Sequence, residues 1–361
     1  MDTDTTDEMM STQTRGSKDD VVLLAHGGGG LRTKELIKEI MLRHLGNPIL
    51  ERLDDGACLS IPESELVFTT DSYVVDPIFF PGGDIGMLAA CGTINDLAMQ
   101  GAEPRYLSFG LILEEGFPIR DLERIVKSLA EVTKRTGMQV VTGDTKVVEQ
   151  GKGAHSTELR TGGVFINTSG IGIRREDVDV HIGNARPGDV VIITGPIGNH
   201  GAAIMCAREE GLRLETDLVS DVAPLWELIN PLLSAVPNTH CLRDPTRGGI
   251  ASALCDIAET AQVGIRLRES DLPVRKEVRG VCQLLGLDPL NVANEGNALV
   301  LCAQADAETA LRVLQAHALG KQAVAIGTAV PEPSGMVLLE TELGGERIVE
   351  TPMGEDLPRI C

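Results

Sequence analysis

Aromatic residues are nearly missing from this chain of 361 residues, which has six Phe, two Tyr and one Trp. Base stacking needs aromatic faces, so recognition of single-stranded nucleic acid by stacking is excluded. Positive charge is short as well, with 32 Lys and Arg against 53 Asp and Glu and a formal net charge of -21. Such a surface repels phosphate backbones and anionic lipid, which argues against nucleic-acid and membrane partners. No apolar run approaches the length of a membrane span. Residues 1–20 lack the basic start and apolar core of a secretory signal and read as a disordered extension. The eight cysteines include no C-x-x-C pair, so they read as reduced thiols of a soluble cytoplasmic protein, with the terminal Cys361 standing apart. Neither a G-x-x-x-x-G-K-S/T loop nor a G-x-G-x-x-G fingerprint occurs.

What is present is aliphatic: 42% of the residues are hydrophobic, and the length suits two cores built from Val, Ile, Leu and Ala. The turn-rich stretch Gly183-Asn184-Ala185-Arg186-Pro187-Gly188-Asp189 marks a boundary. It divides the chain into a domain over 21–185, a second over 186–344, and a mobile tail over 345–361. Leu122, Ile125, Val126, Leu129 and Val132 predict a packed helix over Ile119 to Arg135, followed by a strand at Gln139-Val140-Val141 and a turn through Lys146. Strands and helices mix without strict alternation, which points to an α+β fold.

Asp55, Asp71, Asp96 and Asp144 each lie beside small residues or glycine, at a strand end, in a tight turn or in a helix. Taken singly, each is more often a cap or turn former than a ligand. Four in one half of an acidic protein suggest another use, because oxygen-rich clusters hold Mg²⁺, which binds a few carboxylates together with substrate phosphates. His26 opens the run Gly27-Gly28-Gly29-Gly30 before a helix, where backbone approaches a phosphate closely or simply flexes.

The order Asp54-Asp55-Gly56-Ala57, Thr69-Thr70-Asp71-Ser72, Asn95-Asp96-Leu97-Ala98, Thr142-Gly143-Asp144-Thr145-Lys146 and Asp244-Pro245-Thr246-Arg247-Gly248-Gly249 resembles the ATP-binding superfamily of aminoimidazole ribonucleotide synthetase and selenophosphate synthetase. Within it, His26 to Gly30, the Phe79-Phe80-Pro81-Gly82-Gly83 turn and the ending Pro358-Arg359-Ile360-Cys361 are similar to the hydrogenase-maturation carbamoyl dehydratases. The resemblance covers residues 21–361. It implies an amino-terminal domain that dimerises through its sheet, a carboxy-terminal α/β sandwich and a flexible tail. It also implies that the terminal cysteine receives a carbamoyl group from the carbamoyltransferase HypF. ATP-dependent dehydration then gives a thiocyanate, whose cyano group passes to iron held by HypC and HypD for a nickel–iron hydrogenase.

By motif match, Asp55, Asp71, Asp96 and Asp244 are candidates for metal and ATP binding, with Asp144 close by, and His26, Gly27, Gly28 and Gly29 for phosphate contact. Phosphorylation turns a carboxamide oxygen into a leaving group, and loss of the N–H protons completes a nitrile. Lys146 is the candidate for contacting phosphate or polarising the carboxamide. Glu295 and His200 are alternative bases, each equally suited to an ordinary turn or cap; Glu295 ranks first on the assumption that it lies near Lys146. Asp84 reads as a helix cap. From Gly345 onward the tail spans at most about 55 Å. A small-molecule kinase or synthetase of the same fold, and a nucleotide-gated carrier that only presents its tail, are the competing readings.

Overall fold

In a computed structural model, which describes residues 21–23, 26, 31–52, 64–149, 163–208 and 217–352, a helical segment comes first. It runs from α1 (Leu31–Leu36) through a π-helical stretch (Ile37–Leu42) into α2 (Arg43–Leu45). Strand β1 (Leu66–Tyr73), the short β2 (Phe79–Phe80) and β3 (Gly83–Asp84), helix α3 (Ile85–Met99), β4 (Ala102–Glu114), α4 (Ile119–Thr136), β5 (Gln139–Val148) and β6 (Val164–Arg174) complete the first half. The sheet order is β1-β6-β4-β5, antiparallel except between β4 and β5. That pair is parallel because α4 forms the crossover between them.

The expected stripe on α4 is buried, and Gly137 ends the helix at φ +74°, donating its N–H to the Lys134 carbonyl. Helix α3 differs: Ile85, Leu88, Cys91, Ile94 and Leu97 are fully buried, and so are its polar Thr93 and Asn95. Enclosed on every side, those two must find partners inside the protein. Period-two alternation gives the sheet one face toward α3 and a second face that exposes Leu66, Phe68, Ile112 and Val148.

The second half comprises β7 (Asp189–Ile193), α5 (Asn199–Ala207), α6 (Trp226–Ala235), β8 (Cys241–Arg243), α7 (Gly249–Ala261), β9 (Gly264–Arg268), α8 (Lys276–Leu285), β10 (Leu299–Ala303), α9 (Ala307–Ala316), β11 (Val324–Val330), β12 (Val337–Glu340) and β13 (Glu346–Val349). Its sheet runs β13-β12-β9-β11-β7-β10-β8, with β12 and β9 the parallel pair. Val190 and Ile192 pack toward α6 and α9, whereas Val191 and Ile193 pack toward α7, so the sheet is covered on both faces. The α6 and α9 side is continuous with the core of the first half. Among the described residues no helix is long and apolar enough to cross a membrane.

Two local expectations are corrected. Thr142 to Lys146 is no turn: it continues β5, pairing with Ser108 to Ile112 of β4 beyond a bulge at Leu107/Ser108. Nor does a free tail begin at Gly345, because β13 closes a hairpin on β12 with Val349 buried against the core. Thr341 receives the Gly345 N–H and donates to its carbonyl, fixing that turn.

Candidate active site

The inward positions of β1 after Val67 are Thr69, Asp71 and Tyr73. They face α3, which supplies Thr93 and Asp96 one turn apart. Thr69 donates from Oγ1 to Asp96 Oδ2 at 2.6 Å, and the Tyr73 hydroxyl donates to Asp71 Oδ2 at 3.1 Å. The Tyr73 oxygen also lies 3.4 Å from Thr93 Oγ1, which is 2.6 Å from Thr168 Oγ1 on β6.

The electrostatics bring in residues distant in sequence. Burial, and then the charge of Asp244, push the Asp96 carboxyl up to about 7, with Asp71 adding to the rise. Asp244 is itself raised by burial, opposed by Arg243 and reinforced by Asp71. Burial and the Asp71 charge raise the Tyr73 phenol well above its ordinary range, with Glu295 and Asp96 contributing. Asp71, Asp96 and Asp244, each partly exposed, therefore lie within electrostatic reach of one another, and Glu295 is within reach of Tyr73.

Backbone bonds explain how the second half delivers its two members. The carbonyl of Pro245, next to Asp244, accepts from the Asn294 N–H at 3.1 Å and from Asn294 Nδ2 at 3.0 Å. Asn294 Oδ1 in turn accepts from the Gly198 N–H at 2.7 Å. Asp221 carries the other side of the loop, accepting from the Glu295 N–H at 3.3 Å, the Gly296 N–H at 3.2 Å and Asn297 Nδ2 at 3.0 Å. The packing is close enough that a Cβ at Gly296 would collide with the Asp221 carbonyl oxygen. Asn95 of α3 clasps the same loop, donating to the carbonyls of Ala223 and Glu295 and accepting from the Leu225 N–H.

The residues match two adjoining families of sequence. AIR synthase related protein, N-terminal domain, matches residues 53–173, and AIR synthase related protein, C-terminal domain, matches residues 186–340. The carbamoyl dehydratase HypE of Azotobacter vinelandii is 48% identical over 340 residues, covering 94% of this chain and 97% of that protein. The crystal structure of the hydrogenase maturation protein HypE in complex with ATP superimposes with a TM-score of 0.87 at 44% identity, covering 94% and 99%. A HypE chain in a HypE–HypF complex gives 0.75 at 45% identity, covering 88% and 99%. The chain belongs to the HypE family of AIR synthase related proteins.

Against that family background, the other expected site residues fall into three groups. Asp55, Gly27, Gly28, Gly29 and Cys361 lie outside the described residues. His26 is buried and turned inward on its own segment, its Nδ1 accepting from the Leu23 N–H at 2.8 Å. Asp144 and Lys146 form an exposed ion pair at 2.7 Å, which holds the Asp144 carboxyl below its usual range. They share the outer face of the sheet with Ile112, opposite to Asp71, because Lys146 is in register with Ile112. The assumed approach of Lys146 to Glu295 is thus not made within one chain.

His200 is fully buried, with Nδ1 2.8 Å from Ser220 Oγ and its ring edge-on to Phe80 at 5.5 Å. Ser220 also accepts from the Val222 N–H, so His200 braces the segment that carries Asp221. Asp84 caps α3 as expected, accepting from the Gly86 and Met87 N–H groups. The chain leading to the tail passes α7: Cys255 Sγ donates to the Val349 carbonyl, and Pro352 lies 3.8 Å from where a Cβ would stand on Gly248, four residues after Asp244.

Sequence reasoning missed Asp221, Asn95 and Tyr73. Asp221 sits in no motif and acts through backbone groups remote in sequence. Tyr73 had a readable signal, since it follows Asp71 by two residues in a strand and must face the same way.

The aspartate cluster suits a cation. Three half-buried carboxylates within reach of one another repel, and a divalent ion would remove that cost. Among the described residues no three His, Cys, Asp or Glu side chains already converge in a ligand geometry.

Proposed function

We propose that the protein is an ATP-dependent carbamoyl dehydratase whose substrate is its own carbamoylated Cys361. The observation that carries the reading is the approach of Pro352 to Gly248, in the segment that follows Asp244, one of the three aspartates that interact electrostatically. From Pro352 the remaining residues 353–361 reach about 30 Å at roughly 3.3 Å per residue, ample for a site adjoining their anchor. A small-molecule kinase has no use for such an anchor.

Asp71, Asp96 and Asp244, with Asp55, would hold Mg²⁺, which supplies neutralising charge to the triphosphate. The aspartates disfavour a nucleotide that arrives without cations, since unscreened phosphate would meet like charge. In the reaction the carboxamide oxygen of S-carbamoyl Cys361 takes the terminal phosphoryl group and departs as phosphate. Both N–H protons leave, and the C–N bond becomes a nitrile, giving a thiocyanate, ADP and phosphate. Glu295 is the proposed proton acceptor, held by Asp221 and Asn95 through the backbone of its loop.

HypF is the proposed carbamoyl donor and HypC with HypD the acceptors of the cyano group, in the cytoplasm. Among the described residues six cysteines are free thiols, which suits a reducing compartment. A homodimer is proposed through the outer sheet face, where it would cover Leu66, Phe68, Ile112 and Val148 and enclose the Asp144–Lys146 pair. Lys146 is then proposed to contact phosphate or carboxamide at that interface. Phe68→Asp places a charge in the middle of this apolar face and is expected to give single chains by light scattering; a dimer that persists would refute the interface.

The function is tested by incubating the protein with HypF, carbamoyl phosphate and Mg·ATP, then weighing the terminal peptide. Addition of a carbamoyl group followed by loss of one water is expected. A peptide that is carbamoylated but never loses water would instead identify a carrier.

A further inference from the structure

The hydroxyls around the aspartates have a direction. Carboxylates accept and do not donate when ionised, so the Tyr73 proton is committed to Asp71. A phenol has one proton, so in its contact with Thr93 the Tyr73 oxygen must accept. Thr93, having donated to Tyr73, must then accept from Thr168. The result is a one-way series, Thr168 to Thr93 to Tyr73 to Asp71, buried as far as Tyr73 and ending on a half-buried carboxylate. The fold makes room for it: a Cβ at Gly92 would strike the Tyr73 hydroxyl. Thr69, two residues before Asp71 on the same face, does for Asp96 what Tyr73 does for Asp71.

Resting on the ATP reading above, we infer that Thr69 and Tyr73 are positioning residues that set the cation affinity of the site. Each donates to Oδ2 of its aspartate and so fixes the plane in which that carboxylate meets a divalent ion. In this strand the Thr-x-Asp-x-Tyr spacing is a comb in which the central tooth binds and the outer two aim it and its neighbour on α3. Hydrogen bonds to an ionised acceptor are worth roughly twice neutral ones, and they fix orientation as well as charge. Neither side chain needs to touch the nucleotide.

The test is a Mg²⁺ titration at fixed AMP-PNP, followed by calorimetry, on the full-length protein and on Tyr73→Phe, Thr69→Val and Thr69→Ser. Tyr73→Phe keeps the buried ring and Thr69→Val keeps the volume, so each removes little beyond its hydroxyl. The Mg²⁺ midpoint is expected to rise about tenfold in Tyr73→Phe and in Thr69→Val, and to stay at the wild-type value in Thr69→Ser. Melting temperatures without Mg²⁺ report folding separately. Unchanged midpoints in both the Phe and Val variants overturn the inference, as does a Thr69→Ser protein that behaves like Thr69→Val. Wild-type protein that binds no Mg·AMP-PNP would remove the ATP reading itself, a distinct result.

Discussion

Asp96→Asn is expected to abolish ATP-dependent water loss from the tail while making the metal-free protein more stable at pH 8. The first effect follows from removing one of the charges that neutralise the triphosphate, on the order of a hundredfold or more in rate. The second has the opposite sign and comes from the same burial. The folded Asp96 carboxyl is raised to about 7 from an ordinary 3.8. Between those values the unfolded chain has released its proton and the folded chain retains it, so stability falls as pH rises from about 4 to about 7. Over roughly three pKa units this amounts to up to about 4 kcal/mol. Asp221, raised to about 6 mainly by burial, contributes in the same direction between about pH 4 and 6. Thermal unfolding of wild type and variant at pH 5 and pH 8 reports Asp96 together with the groups it interacts with, Asp71, Asp244 and Tyr73, while distant groups cancel. Added Mg²⁺ should restore wild type more at pH 8 than at pH 5. A variant no more stable than wild type at pH 8 would show that the cluster is not self-repelling.

Much of this site was legible because each motif is local. An Asp within a β-branched strand, or an Asn-Asp pair within an apolar helix, declares both its element and its functional residue within four or five positions. The α4 stripe declares its burial in the same way. What could not be read is the pairing of segments distant in sequence. Nothing in the order of residues says that Asp221 would receive the Glu295 and Gly296 N–H groups, or that Pro245 would accept from Asn294. Those bonds depend on how the two halves dock. The strand through Thr142-Gly143-Asp144-Thr145-Lys146 was misread for a related reason. Its glycine and aspartate have turn propensity, but edge pairing with β4 and an open outer face override it. The same oversight led to the assumed meeting of Lys146 with Glu295, which depends on the face each strand residue takes. β13 is short, charged and at the sheet edge, so only Val349 marks it as packed.

Glu295→Gln is expected to leave Mg·ATP binding and carbamoylation of Cys361 intact and to slow water loss by about 10²- to 10⁴-fold, the range for losing a general base. The Glu295 N–H goes to Asp221, and its carbonyl accepts from Ala223 and Asn95, so the backbone of Glu295 holds the turn. The glutamine has the same shape and sits at a position only 3% exposed, so the loop keeps its path. What is lost is a carboxylate whose charge reaches Tyr73 and Cys91, hence a proton acceptor beside the aspartate cluster. Phosphorylation of the carboxamide draws on the cation and the aspartates, whereas removal of the N–H protons draws on a base. The variant should therefore accumulate tail peptide heavier by one carbamoyl group, read by mass spectrometry at successive times. If the thiocyanate forms at the wild-type rate in Glu295→Gln, the proton acceptor lies elsewhere, and Lys146 from the facing subunit becomes the group to test.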